Sequence, residues 1–204
     1  MLDGTMRRLI GPLLDRGGRG LARTGISANA VTLAGLGFGL VMALMIANGA
    51  GLWALLPLGL SRVADGLDGA VARVSGKTDF GGYLDITCDF LFYAAVPLAF
   101  VIRDPVANGL AGAFLLASFY VNGASFLGFA VLAEKRGLET DAQGEKSLYF
   151  SAGLLEGTET IMFFAVLCVW PDSFVALALG FGALCFVTAI ARILLAWRVF
   201  SRPL

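Results

Sequence analysis

The sequence contains no histidine and only three cysteines among 204 residues. The first absence takes away imidazole ligands and argues against zinc or iron centres. The second excludes a disulfide framework, because an odd count without thiol-pair spacing gives none, and leaves Cys88, Cys168 and Cys185 to packing. Charge is scarce too: charged residues make up 15% of the chain and the formal net charge is zero. Nucleic acid is not an expected partner, since the basic residues trace a membrane edge rather than a patch. What is abundant is apolar. Hydrophobic residues reach 58% and the mean hydropathy is +0.82, against about 45–50% apolar residues in a soluble domain. The bilayer is the expected solvent.

A membrane-crossing helix needs about 20 mostly apolar residues, and six stretches of that order are present, at 28–47, 52–73, 80–101, 106–133, 148–170 and 174–199. Short runs of turn residues separate them, such as Asn48-Gly49-Ala50-Gly51, Arg103-Asp104-Pro105 and Pro171-Asp172-Ser173. The expected fold is therefore all-α: one domain over 1–204, a polytopic bundle of six transmembrane helices. Of the 15 Lys and Arg residues, only Arg103 falls on the side carrying the turns after the first, third and fifth spans. The positive-inside rule then puts both termini in the cytoplasm and the protein in the inner membrane.

Residues 1–25 mix Arg7, Arg8, Arg16, Arg19 and Arg23 with Leu9, Ile10, Leu13, Leu14 and Leu21, without the continuous apolar core of a cleaved signal. An amphipathic helix on the inner leaflet fits this pattern. The alternative is a flexible basic leader, because Gly17-Gly18-Arg19-Gly20 is a poor helix former.

The second span ends and the third begins unusually for membrane segments: Asp65-Gly-Leu-Asp68-Gly69-Ala-Val-Ala72-Arg73, then Gly81-Gly82-Tyr83-Leu84-Asp85-Ile-Thr-Cys-Asp89. At 100° per residue Asp65 and Asp68 share one helix face, and Asp85 and Asp89 share another. A hairpin through Lys77 and Thr78 lets those faces meet. An ionised Asp at a helix centre costs about 2.5–3.5 kcal/mol on insertion scales, and converging anions repel. A cation must sit among them. Oxygen-only ligands suit Mg²⁺ or Mn²⁺, and shared carboxylates suit two ions about 3.5–4 Å apart. With no histidine, the general base is expected to be a carboxylate, with Asp89 the first choice. Gly69 and Ala72 leave backbone open beside the acids for a flat ligand, and Arg73 offers a planar fork for phosphate.

This string resembles the signature of the CDP-alcohol phosphotransferase family, D-x2-D-G-x2-A-R-x(7 or 8)-G-x3-D-x3-D, at every fixed position, with Gly81 as the second glycine and the shorter spacer. The six-span layout resembles that family along its whole length. The resemblance implies that Asp65, Asp68, Asp85 and Asp89 hold or bridge the metals, that Gly69, Ala72 and Arg73 contact the CDP moiety, and that Asp89 deprotonates the acceptor hydroxyl. The implied reaction is phospholipid synthesis: transfer of a phosphatidyl group from a CDP-lipid, such as CDP-diacylglycerol, to an alcohol with release of CMP. The resemblance also implies a homodimer. Upstream, Ser27-Ala28-Asn29-Ala30-Val31-Thr32 is similar to the family's Pro-Asn-x-x-Thr start of the first helix, with Ala28 in place of proline. Asn29 is open to either a nucleotide contact or a helix-start role.

Other ionisable residues bear on the acceptor. Lys146, in Gly144-Glu145-Lys146-Ser147, and Arg192 are candidates for an acceptor phosphate, glycerol 3-phosphate or another phosphorylated alcohol; an ordinary membrane anchor is the competing role for Lys146. Glu156 and Glu159 share a face of the fifth span and are open to three roles: shaping the acceptor pocket, pairing with Arg62 or Arg192, or staying protonated in a helix interface. Gly35, Gly37, Gly39, Gly109 and Gly112 are expected to allow close helix packing. Competing functions are an aspartate-rich membrane prenyltransferase, which would lack the Asp-Gly-x-x-Ala-Arg string, and a divalent-cation carrier, which would need polar residues leading across the bilayer.

Overall fold

The structure, a computed structural model, describes residues 3–137, 155 and 157–201. Among them there is no strand. Seven α-helices follow one another: α1 (Asp3–Arg23), α2 (Ala28–Ala47), α3 (Leu55–Ser75), α4 (Asp79–Arg103), α5 (Pro105–Lys135), α6 (Gly157–Val169) and α7 (Phe174–Phe200). Single 3₁₀ turns, Leu52–Ala54 and Pro171–Ser173, lead into α3 and α7. Helix starts follow capping chemistry. Ser27 accepts from the Ala30 N–H, Thr78 from the Gly81 N–H and Asp104 from the Ala107 N–H, with Pro105 preset at the first helical position.

Four helical segments are long and apolar enough to cross a membrane: Ala28–Ala47, Asp79–Arg103, Pro105–Lys135 and Pro171–Phe200. Two of the six expected spans do not meet that description. The 21 residues of α3 include Arg62, Asp65, Asp68 and Arg73, so length is sufficient and composition is not. The 13 described residues of α6 rise about 20 Å at 1.5 Å each, short of the ~30 Å hydrocarbon core; residues 148–154 of that expected span lie outside the described residues.

α2 packs between α3 and α4, α5 packs along α7, and α4 joins the two groups through α5. The main core unites the C-terminal halves of α2, α4 and α6 with the N-terminal halves of α3, α5 and α7. Met42, Ile46, Phe92, Phe100, Phe164 and Phe174 are buried there, with Phe100 stacked on Phe174 at 4.5 Å and Phe163 on Phe181 at 4.0 Å. This aromatic core fills the end of the bundle that carries the short turns. The opposite end, formed by the other halves of the same helices, holds the acids.

Residues 3–23 form one continuous helix despite Gly17, Gly18 and Gly20. Two of the three have a packing reason: α1 lies against α3, a Cβ on Gly18 would stand 2.8 Å from the Ala70 carbonyl carbon and one on Gly17 2.9 Å from Leu67, whereas Gly20 faces open space. Backbone proximity across this seam offsets the low helix propensity of glycine. Of the glycines expected to permit packing, Gly35 meets Ala64, Gly39 meets the Phe92 ring and Gly112 meets Val101, whereas Gly37 and Gly109 face open space.

Candidate metal centre

The acids are brought together by one tight turn. Gly76 ends α3 at φ +100°, a conformation unfavourable to other residues, and Thr78 caps the start of α4. Only residues 76–78 separate the two helices, and both pack on α2. Asn29, at the start of α2, reaches the same corner: a Cβ on Gly81 would stand 3.3 Å from its Oδ1 and 3.0 Å from the Thr78 hydroxyl. Glycine at 81 keeps those polar groups where they are. Ser27, rather than Asn29, supplies the cap of α2.

Asp65, Asp85 and Asp89 converge, each offering a carboxylate oxygen such that all three oxygens lie within 4.8 Å of one another. Asp68 lines the same recess but is held differently. It is 6% exposed; its Oδ2 accepts from the Thr32 hydroxyl at 2.6 Å and its Oδ1 accepts from the Gly69 N–H. Thr32 thereby fixes the fourth acid, a function readable in the sequence only as part of the helix-start motif. The recess measures about 10 Å³, room for one water-sized particle. All-oxygen donors on half-buried carboxylates, spaced to share one centre, fit a hard divalent cation that Asp65, Asp85 and Asp89 could hold, with Asp68 lining the same recess.

Arg62 already stands at this cluster. Its Nη1 lies 3.3 Å from Asp89 Oδ1 and 3.5 Å from Asp65 Oδ2. Arg73 is on the exposed rim two turns further along α3, beside Gly69 and Ala72, and its Nη2 donates to Asp15 Oδ1 of α1 at 2.7 Å. Nothing in the sequence pattern joins Asp15 to Arg73, which are 58 positions apart.

A second, larger cavity of about 720 Å³ opens beside the acids, bounded by Phe90, Tyr93, Phe119, Tyr120, Thr160 and Arg192 among others. Asp89 is the one described residue lining both spaces. Arg192 is 8% exposed and is set by α5: its Nη1 donates to the Asn122 backbone and side-chain oxygens at 3.1 and 2.9 Å and to the Ser125 hydroxyl at 2.7 Å, with its guanidinium 5.6 Å from the Phe126 ring. Arg62, one of the two arginines open to the glutamates, pairs with Asp65 and Asp89. Glu159 stands in the first turn of α6, half-buried. Lys146 and Glu156 lie outside the described residues. The three cysteines are free and buried, Cys88 at the wall of the acid recess.

Comparison with known proteins converges on one family. The model of the CDP-alcohol phosphatidyltransferase family matches residues 26–200. Inner membrane protein YnjF of Escherichia coli (strain K12) is 45% identical over 193 residues, covering 95% of this chain and 94% of that protein. Archaetidylinositol phosphate synthase of Pyrococcus horikoshii is 32% identical over 110 residues, 53% of this chain and 58% of that one. In fold the chain is similar to phosphatidylinositol phosphate synthase of Mycobacterium tuberculosis. The crystal structure with CDP-DAG bound has a TM-score of 0.70 and 24% identity, covering 91% of this chain and 94% of that one. The complex of that enzyme with manganese and citrate has a TM-score of 0.70 and 23% identity, covering 90% and 88%.

Proposed function

The chain belongs to the CDP-alcohol phosphatidyltransferase family, and from that premise we propose that it transfers the phosphatidyl group of CDP-diacylglycerol to a phosphorylated alcohol, releasing CMP. The observation that carries this reading is the position of Asp89, shared between the acid recess and the large cavity. A residue so placed can touch both the activated phosphate and an acceptor hydroxyl.

In this reading Asp65, Asp85 and Asp89 would hold Mg²⁺ or Mn²⁺, with Asp68 beside them. Bound there, the metal would supply charge neutralisation for the acids and for the donor diphosphate. The protein's own groups do the rest. Gly69 and Ala72 leave the backbone approachable for the cytidine, and Arg73 donates its planar fork to the nucleotide phosphate. Asp89 accepts the proton of the acceptor hydroxyl as that oxygen bonds to the lipid-linked phosphorus. The phosphorus–oxygen bond to CMP breaks, and CMP departs with the electron pair. No covalent intermediate with the protein is involved.

Arg192 supports a phosphorylated acceptor: it lines the cavity reached by Asp89, and Asn122 and Ser125 fix its guanidinium there. The names of two relatives, both inositol phosphate lipid synthases, make an inositol phosphate the first acceptor to try, ahead of glycerol 3-phosphate. Lys146 would add a second cation for the same phosphate. The membrane topology consistent with this chemistry has α3 and α6 completing six spans, α1 on the inner leaflet, and both termini and the acids on the cytoplasmic side, in a homodimer. The test is CMP release by purified protein given CDP-diacylglycerol, Mn²⁺ and one acceptor at a time. Release with a phosphorylated alcohol and not with its dephosphorylated counterpart is expected; equal release with both would remove Arg192 from acceptor recognition.

A further inference from the structure

Arg62 has no position in the family signature, yet among the described residues it is the cation paired with the converging acids. Its guanidinium is braced from behind. Nη2 donates to the buried Ser61 hydroxyl at 3.1 Å, Ser61 in turn donates to the Gly35 carbonyl at 2.8 Å, and the guanidinium carbon stands 4.7 Å over the buried Phe92 ring. Its front edge meets Asp89 and Asp65, the same two carboxylates that converge with Asp85. Its Nε is buried without a hydrogen-bond partner, so the side chain is held by that brace and those acids, not by a full set of bonds of its own.

From this geometry we infer that Arg62 is a resident counter-cation that competes with the divalent ion for Asp65 and Asp89 and so lowers the affinity of the metal centre. The inference rests on the metal reading given above. Without an ion, Arg62 offsets the mutual repulsion of the acids. With an ion present, it withdraws lone pairs from two ligands, places a like charge close to the ion in a partly buried site, and fills part of a recess with room for one small particle. Ser61 and Phe92 prevent it from swinging away. Arg62 is thus a positioning residue acting through the ligands, and removing its charge should tighten metal binding while weakening the ion-free protein.

The experiment is a Mn²⁺ titration of full-length purified protein, read by the EPR signal of free Mn²⁺, on wild type, Arg62→Gln and Ser61→Ala. Arg62→Gln is expected to bind Mn²⁺ about tenfold tighter through relief of like-charge repulsion. Ser61→Ala, a small change that removes the brace and remains informative should Arg62→Gln not fold, is expected to tighten binding about threefold. The ion-free Arg62→Gln protein should melt lower than wild type and gain more on adding Mn²⁺. Unchanged or weaker binding in the variants, with wild type binding Mn²⁺, would overturn the inference and leave the metal centre standing. Absence of Mn²⁺ binding by wild type would instead overturn the metal reading, and the inference with it.

Discussion

The two ends of this helical bundle are built from opposite halves of the same helices and solve different problems. At the end with the short turns, Phe92, Phe100, Phe164 and Phe174 interlock with Met42 and Ile46, and the Phe100 and Phe174 rings stack. At the other end, α3 and α4 carry Asp65, Asp68, Asp85 and Asp89, and Thr32 and Arg62 hold the acids in position. Dispersion between close-packed rings stabilises the first without specifying any ligand. The second concentrates like charge at a cost that a bound cation would offset. Phe92 links them: its ring closes the aromatic core and also supports Arg62 at the acids.

Four substitutions sharpen this contrast, because changes at the acid end should move catalysis and changes at the aromatic end should move stability. The largest effect is expected from Asp89→Asn, which removes the base: turnover should fall about a thousandfold with an unchanged melting temperature, measured by CMP release and thermal unfolding. Near-wild-type turnover would place the base elsewhere. Phe164→Ala should cost about 3–5 kcal/mol of stability by opening a cavity among its neighbouring rings, while the folded fraction keeps its turnover; denaturant unfolding in detergent checks the first half and specific activity the second. Arg73→Lys should raise the Michaelis constant for CDP-diacylglycerol about tenfold through loss of the planar fork, with that of the acceptor unchanged. An effect confined to the acceptor would contradict the assignment of Arg73. The smallest change is expected from Asp104→Ala, which deletes the cap on α5 at the aromatic end and should cost about 1 kcal/mol without altering activity.

Much of this contrast was legible in the sequence, because it is written in local spacing. The range 28–47 reappears as α2, and the acids' i, i+3 and i, i+4 spacings gave the faces that meet after the turn at Gly76. What spacing does not encode is contact between distant segments. The Thr32–Asp68 and Arg73–Asp15 bonds join positions 36 and 58 apart, and no periodicity marks either. Gly18 of α1 reads as a helix breaker because its packing partner, Ala70 of α3, is invisible without the fold. Arg62 is one of two arginines open to the glutamates of a later span, since opposite charges at membrane depth attract whichever acid lies nearest. The fold makes those acids Asp65 and Asp89.

The central claim, that the acid end is a metal-dependent phosphatidyl-transfer site, is tested most directly by following CMP release from CDP-diacylglycerol and a phosphorylated acceptor while Mn²⁺ or Mg²⁺ is removed with a chelator and then restored. The account predicts that release stops on chelation, returns with either ion, and stays about a thousandfold lower in Asp89→Asn. Release that continues at full rate in the chelator would contradict it.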